Sequence, residues 1–453
     1  METSRFGRRE YLLLAMGTIA FTIYGSYVPF QYRYRPWGEV TSSFAWAMQN
    51  RTAFESRSDG FANWMLGVPL GFCSLGAIRA WRTNGLATAL IGGCLVPLCA
   101  LFAAAVEFGQ LYFPTRTCSG TDVIAQSFGA LCGVLGWVLF GPWLTGQLGR
   151  FFRDGSNGTR SLRFLAGYAI FVAFVQWLPL DFTISPHDIY RWLRRGYLKV
   201  SYFPFEELRS PAWRNGSTVW DKVQSWLELA MLFFPLGLLL SRPGWEIRAW
   251  RIPAFAFSFA FLTEAIQITV SRHPSSADVI VGCLSILAGY AVSKLVSTLF
   301  FQRHRMETAL ILGQVWLIVM ILMHWQPFDW IAGRFVWDAQ AWECWPLATQ
   351  VSENYLRSLD RVMMKFVVYA PLGILLAWAG RWSMAKPIRL RAATMGGAVA
   401  LLLEVGQTAL PGRHFSPTDV LFGILGGWIG VAIAMRVIST GAPAKTPFGA
   451  TDA

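Results

Sequence analysis

Five polar residues recur at fixed spacing in a chain that is otherwise strongly apolar. Residues 107–123 read EFGQLYFPTRTCSGTDV, 264–279 read EAIQITVSRHPSSADV and 404–420 read EVGQTALPGRHFSPTDV. All three fit Glu-x-x-Gln, a gap of four or five residues, then Arg-x-x-Ser-x-x-Asp-Val. The candidate ligand-binding residues are therefore Glu107, Gln110, Arg116 and Asp122, then Glu264, Gln267, Arg272 and Asp278, then Glu404, Gln407, Arg413 and Asp419. Glu and Gln three apart share one helix face. An ionisable residue inside an apolar span is costly and marks a functional position. The planar Arg fork matches a phosphate or carboxylate in bidentate fashion. Together the set outlines a shallow polar pocket.

Each residue type also has a structural use. The Glu can form a buried ion pair with its own unit's Arg, and the Arg can close a helix hairpin on that Glu or on the Asp. Ser-x-x-Asp before an apolar run, as at Ser119, Ser275 and Ser416, is a helix-capping pattern with the Asp at the positive helix end. Sequence leaves the pocket and the brace both open.

These residues are carried by long apolar elements. The 453 residues are 54% hydrophobic and 14% charged, well below the quarter or so of charged residues in a soluble domain. Mean hydropathy is +0.40. Apolar runs near the length of a membrane span recur throughout. They predict twelve spans, at 11–30, 61–79, 86–113, 122–144, 163–182, 223–241, 251–270, 277–299, 308–328, 362–380, 391–410 and 418–438. The fold class is thus all-α, a polytopic membrane bundle of about twelve transmembrane helices. The 22 Trp and 13 Tyr suit two membrane interfaces. With the span ending near residue 113, Glu107 is expected roughly 9 Å below the helix end at 1.5 Å per residue.

The repeat extends beyond the motif. Each copy opens with a helix ending in a Pro turn, at Pro29-Phe30-Gln31, Pro179-Leu180-Asp181 and Pro327-Phe328-Asp329. A long aromatic segment follows. The next helix carries Pro-Leu-Gly, at residues 69–71, 235–237 and 371–373. The Glu–Gln helix, the Arg/Ser/Asp link and a Gly-rich helix complete the copy, with Gly133, Gly289 and Gly430 eleven residues after each Asp. Four helices per copy keep all three parallel. The expected limits are 1–150, 151–305 and 306–453. Small-x-x-x-small pairs such as Gly129 with Gly133 predict close helix packing. In segment 31–60, Trp37, Val40, Phe44 and Ala47 fall at helical spacing, as in a helix lying in the interface plane. In segment 183–222, Arg191, Arg194, Arg195 and Lys199 either touch anionic headgroups or lie in a solvated loop.

More than half of the 39 Lys and Arg fall on the side of the N-terminus and the joins between copies, which predicts that side to be cytoplasmic. Both termini are then inside and the motif links outside. The first span, after Arg5, Arg8 and Arg9, is expected to be a retained signal anchor. The net charge of +13 reports this asymmetry and contact with anionic lipid; no basic groove or finger motif points to nucleic acid. The seven Cys show no metal spacing. Cys118 and Cys344 fall on the same side without anything to pair them. His187, His273, His324 and His414 are expected to be polar loop residues rather than metal ligands. No cofactor motif is present.

The motif, the Pro-Leu-Gly helix and the four-helix unit resemble the VanZ-like membrane protein family, here in three tandem copies covering nearly the whole chain. The resemblance implies a bacterial cytoplasmic membrane protein of the cell envelope, with a setting in low-level glycopeptide resistance. Its expected partners are membrane lipids and a lipid-linked glycan or glycopeptide. The resulting expectation is a protein that binds an anionic lipid headgroup, a lipid-linked sugar or a glycopeptide at the outer leaflet. A membrane enzyme acting on an envelope lipid, a transporter and a scaffold are the alternatives. The second copy departs from the others upstream: Asp59 with Asn63 and Asp360 with Lys365 have no counterparts at the same offsets, while Asp221 and Glu228 stand elsewhere. That copy is expected to be the altered one.

Overall fold

The computed structural model describes residues 7–28, 30–49, 57–79, 85–153, 157–178, 190, 194, 201, 203–205, 216–241, 248, 250–270, 272–298, 303–326, 328–330, 355–380, 386–410 and 415–438. Thirteen helices make up the described chain. The first copy holds α1 (Arg8–Tyr27), α2 (Trp37–Gln49), α3 (Arg57–Arg79), α4 (Gly85–Gln110) and α5 (Gly120–Arg153). The second holds α6 (Asn157–Trp177), α7 (Gly216–Leu240), α8 (Arg251–Gln267) and α9 (Ser276–Val296). The third holds α10 (Arg305–Trp325), α11 (Tyr355–Ala379), α12 (Lys386–Gln407) and α13 (Pro417–Ile438). Every expected span coincides with one of these helices. Eight of the described helices are long and apolar enough to cross a membrane. Their outward faces carry large apolar side chains, such as Leu86, Leu90, Leu98 and Leu101 along α4. In a bilayer these face lipid, so their exposure costs nothing.

In the three copies α3 packs backbone to backbone on α5, α7 on α9 and α11 on α13. A methyl group added to Gly71 would overlap the carbonyl of Ala130, and one on Gly133 the carbonyl of Val68. Gly237 and Gly289 meet the carbonyls of Ile286 and Phe234 in the same way, as Gly373 and Gly430 meet those of Gly427 and Ala370. Without a hydrophobic force between helices in lipid, such close approach supplies the packing. The Pro-Leu-Gly motif is therefore a helix contact, and its prolines lie inside continuous helices.

The interface helix expected from Trp37, Val40, Phe44 and Ala47 is α2. Val40 and Ala47 are buried, and the rings of Trp37 and Phe44 flank Phe108. It roofs the motif end of the first copy, where the Ala47 carbonyl lies against Gly120 at the start of α5. The second and third copies share one apolar core, running from Val172 and Leu236 through Ile286 to Tyr369 and Phe422. Of the basic cluster in segment 183–222, Arg194 is exposed; Arg191, Arg195 and Lys199 lie outside the described residues.

Two expectations change. Helix α4 ends at Gln110 because residues 111–113 turn back on three-residue hydrogen bonds, Leu111 N–H to the Phe108 carbonyl and Phe113 N–H to that of Gln110. Glu107 therefore sits in the last turn, about 4.5 Å from the helix end. His324 is not a loop residue but a buried one in the last turn of α10, its Nδ1 2.8 Å from the Met320 carbonyl.

Candidate functional site

In all three copies the motif Glu ties the third helix of the repeat, as a clasp, to the Ser that precedes the fourth. Each Glu is almost wholly buried: Glu107, Glu264 and Glu404 are 1%, 4% and 0% exposed. One carboxylate oxygen accepts the backbone N–H of the Ser across the link, at 2.9 Å for Ser119, 3.3 Å for Ser275 and 2.7 Å for Ser416. These N–H groups stand where a helix begins and have no partner within it. The Glu at the end of the third helix thus ties down the start of the fourth. The other oxygen accepts the amide of the Gln one turn on, 3.1 Å from Gln110 to Glu107 and 3.0 Å from Gln267 to Glu264. In the third copy this oxygen has no donor and faces Asp419 instead.

The Arg belongs to the first helix. Pro29 has no N–H, so the Gly25 carbonyl four residues back loses its helical partner. Arg116 Nη2 donates to that oxygen at 3.0 Å, and Nε donates to the Val28 carbonyl at 3.0 Å. Arg272 repeats this with Nε on the Leu178 carbonyl at 2.7 Å, before Pro179. A cation at a helix C-terminus is favourable there. The sequence offered Glu, Asp or an incoming anion as the Arg partner; the described bonds of Arg116 go to backbone carbonyls. Arg413 lies outside the described residues, as does His414.

Ser and Asp start the fourth helix. Ser275 caps α9, its hydroxyl accepting the Ala277 N–H at 3.2 Å. Ser119 pairs instead with Thr121, hydroxyl to hydroxyl at 2.6 Å. The Asp partners differ most between copies. Asp419 is buried and ion-paired with Lys365, six residues before the Pro of α11. At the matching offset the first copy has Asn63, which accepts the Gln126 amide at 2.9 Å. The second copy has Leu229 there, and Asp278 accepts the indole N–H of Trp226 at 3.0 Å.

That position borders open space. A cavity of about 240 Å³ lies beside the second clasp, lined by Gln267, Arg272, His273, Asp278, Glu228 and, from the third copy, Asp360, with Leu229, Leu232 and Met364 among its apolar walls. Arg272 spans it, reaching Asp360 Oδ2 at 3.1 Å with Nη2. Among the described residues Glu228 accepts the Gln224 amide, at 3.0 Å on its own helix. Three carboxyl groups and one guanidinium thus line the same cavity. Among the described residues no group of three His, Cys, Asp or Glu is placed to hold a metal ion.

A family model described as VanZ/LLP1 matches residues 10–141 and 295–439. The chain belongs to the VanZ/LLP1 family. No curated protein and no solved structure matches the chain. The matched stretches contain the motifs beginning at Glu107 and Glu404. The motif at Glu264 and almost all of the cavity fall between them, yet the Glu264 and Arg272 bonds reproduce the VanZ/LLP1 clasp of the first copy. The second copy keeps the brace and departs in what surrounds it. Sequence reading noted Glu228 and Asp360 as departures but had no signal that they meet, since they lie on different copies. Trp226 was missed, because an indole in an apolar helix looks like packing.

Outside the spans, Cys118 sits in the first link. Burial raises its thiol to about 12, with the nearby Glu107 and Asp122 carboxylates adding to the effect.

Proposed function

We propose that this VanZ/LLP1 membrane protein binds the sugar headgroup of an envelope lipid at the outer leaflet, in the cavity between its second and third copies. The observation that carries this reading is the cavity lining: carboxylates that accept, a guanidinium that donates and an amide that does both. Neighbouring hydroxyls of a sugar ring need that mixture. At about 240 Å³ the space lies below the 300 Å³ or so at which drug-sized sites begin. It suits one ring or a small headgroup and is too small for a whole glycopeptide. An anionic headgroup would meet three carboxylates against one guanidinium. Any effect on glycopeptide tolerance would then be indirect, through the pool of lipid-linked glycan. The outward placement rests on the Lys and Arg asymmetry.

The test is native mass spectrometry of the chain in nanodiscs containing glucosyl diacylglycerol, beside Glu228→Leu. Glu228 bonds its own helix neighbour and none of the clasp bonds of Glu264 or Arg272 involves it, so the variant keeps the clasp. Loss of one hydrogen bond to a charged group, about 1.5–3 kcal/mol, should weaken retention roughly 10- to 100-fold. Equal retention by both proteins would refute the site.

A second reading, an enzyme acting on the same headgroup, is favoured by three carboxyl groups and His273 around one space, the groups general acid–base chemistry uses. An unchanged envelope lipid profile in a deletion strain would count against it.

A further inference from the structure

The cavity has a contributor that a single copy lacks. Asp360 comes from α11 of the third copy, while Arg272 comes from the link of the second. In the first copy, Arg116 puts both Nε and Nη2 on the carbonyls that end α1. In the second, Nε makes the matching bond to Leu178 and Nη2 turns to Asp360. The pair is reachable from the cavity: the side chains are 32% and 27% exposed. Asp360 is itself held in place, its Oδ1 accepting the Arg361 backbone N–H at 2.6 Å. The remaining charged groups nearby are Glu228 and Asp278 on the cavity wall, His273 on the link and Lys365 within electrostatic reach of Glu228.

We infer that Asp360 sets the charge selectivity of the cavity. It takes Nη2 of Arg272, one of the nitrogens a phosphate would need for a bidentate contact. With Asp360 present, the cavity takes a neutral, hydroxyl-rich headgroup and rejects a phosphate monoester. With Asp360 neutralised, the guanidinium keeps at most a neutral acceptor at Nη2, which an anion can displace, and one carboxylate fewer repels that anion. This deepens the proposed function and rests on it. It also gives the tandem arrangement a purpose, because the third copy supplies the residue that decides what the second admits.

The experiment uses the full chain in phosphatidylcholine nanodiscs doped with either phosphatidic acid or glucosyl diacylglycerol, read by native mass spectrometry. Wild type should retain the glucosyl lipid and little phosphatidic acid. Asp360→Asn should raise phosphatidic acid occupancy about tenfold, the scale of one added charged hydrogen bond, while keeping the glucosyl lipid. Asp360→Glu should restore the wild-type selectivity. Equal phosphatidic acid occupancy in wild type and Asp360→Asn, with glucosyl lipid bound to both, would overturn the selectivity role and leave the sugar site standing. Failure of wild type to retain the glucosyl lipid would overturn the site itself. Should Asp360→Asn not fold, phosphatidic acid held by wild type as well as the glucosyl lipid would equally refute the inference.

Discussion

The clasp makes a prediction with an unusual sign. Glu404 gives one oxygen to the Ser416 N–H at 2.7 Å, while its other oxygen has no donor and faces Asp419. Glu404→Gln keeps the bond to Ser416 through the amide oxygen. Its NH₂ then lies against the Asp419 carboxylate and donates to it. The variant exchanges a carboxyl–carboxyl contact, which must share a proton to hold, for an amide–carboxylate hydrogen bond at a fully buried position. It should be at least as stable as wild type. Glu404→Ala instead leaves the Ser416 N–H without its charged acceptor and should cost about 1.5–3 kcal/mol, before any cavity is counted. Glu107→Gln is the control. Both Glu107 oxygens already accept donors, from Gln110 at 3.1 Å and Ser119 at 2.9 Å. An amide there sets donor against donor unless Gln110 turns over, a loss of about 1 kcal/mol. Unfolding in mixed micelles by added SDS, followed by tryptophan fluorescence, should rank Glu404→Gln at or above wild type, then Glu107→Gln, then Glu404→Ala. If Glu404→Gln proves as damaging as Glu404→Ala, the second oxygen must serve a donor or a ligand, and the brace alone does not explain the motif.

Two further predictions follow from packing and titration. Gly289→Ala places a methyl on the Phe234 carbonyl and should cost about 1–3 kcal/mol, whereas Gly93→Ala, with open space around it, should be neutral or stabilising by up to about 1 kcal/mol; similar SDS midpoints for the two would refute backbone contact between α7 and α9. In a chain keeping Cys118 alone, an impermeant maleimide added to intact cells should react about a thousandfold more slowly at pH 8 than with an ordinary thiol, because a thiol at about 12 holds so little thiolate. Its rate should climb tenfold per pH unit through pH 10; a plateau near pH 9 would refute the buried environment, and labelling only after lysis would place the links inside.

The spans were legible because twenty apolar residues in a row leave few options, and α2 because four apolar positions fell on one helix face. The clasp was half legible. Three copies exposed its members, and Ser275 caps α9 as the pattern implied. The Arg partner was hidden, since a backbone carbonyl has no sequence signature. The clue lay in Pro29, whose missing N–H leaves the Gly25 carbonyl in need of a donor. The expectation that the second copy is altered named Asp221 and Glu228; Leu229, at the place of Asn63 and Lys365, went unnamed. What it could not convey was that Asp360 of the next copy would complete the altered space.

The repetition itself argues about where chemistry resides. A motif whose polar atoms were displayed for a ligand would leave them unspent in every copy. Here Glu107 and Glu264 use both oxygens on the protein, and Arg116 closes a helix end. Residues committed in this way hold a fold in lipid, where an unpaired polar group is costly. Binding must then come from groups the brace does not consume. In the second copy Leu229 stands at the Asn or Lys position, Asp278 accepts from Trp226, and Glu228 and the Arg272–Asp360 pair line open space. The copy that departs from the pattern is the one with side chains to spare, and its neighbour helps to aim them.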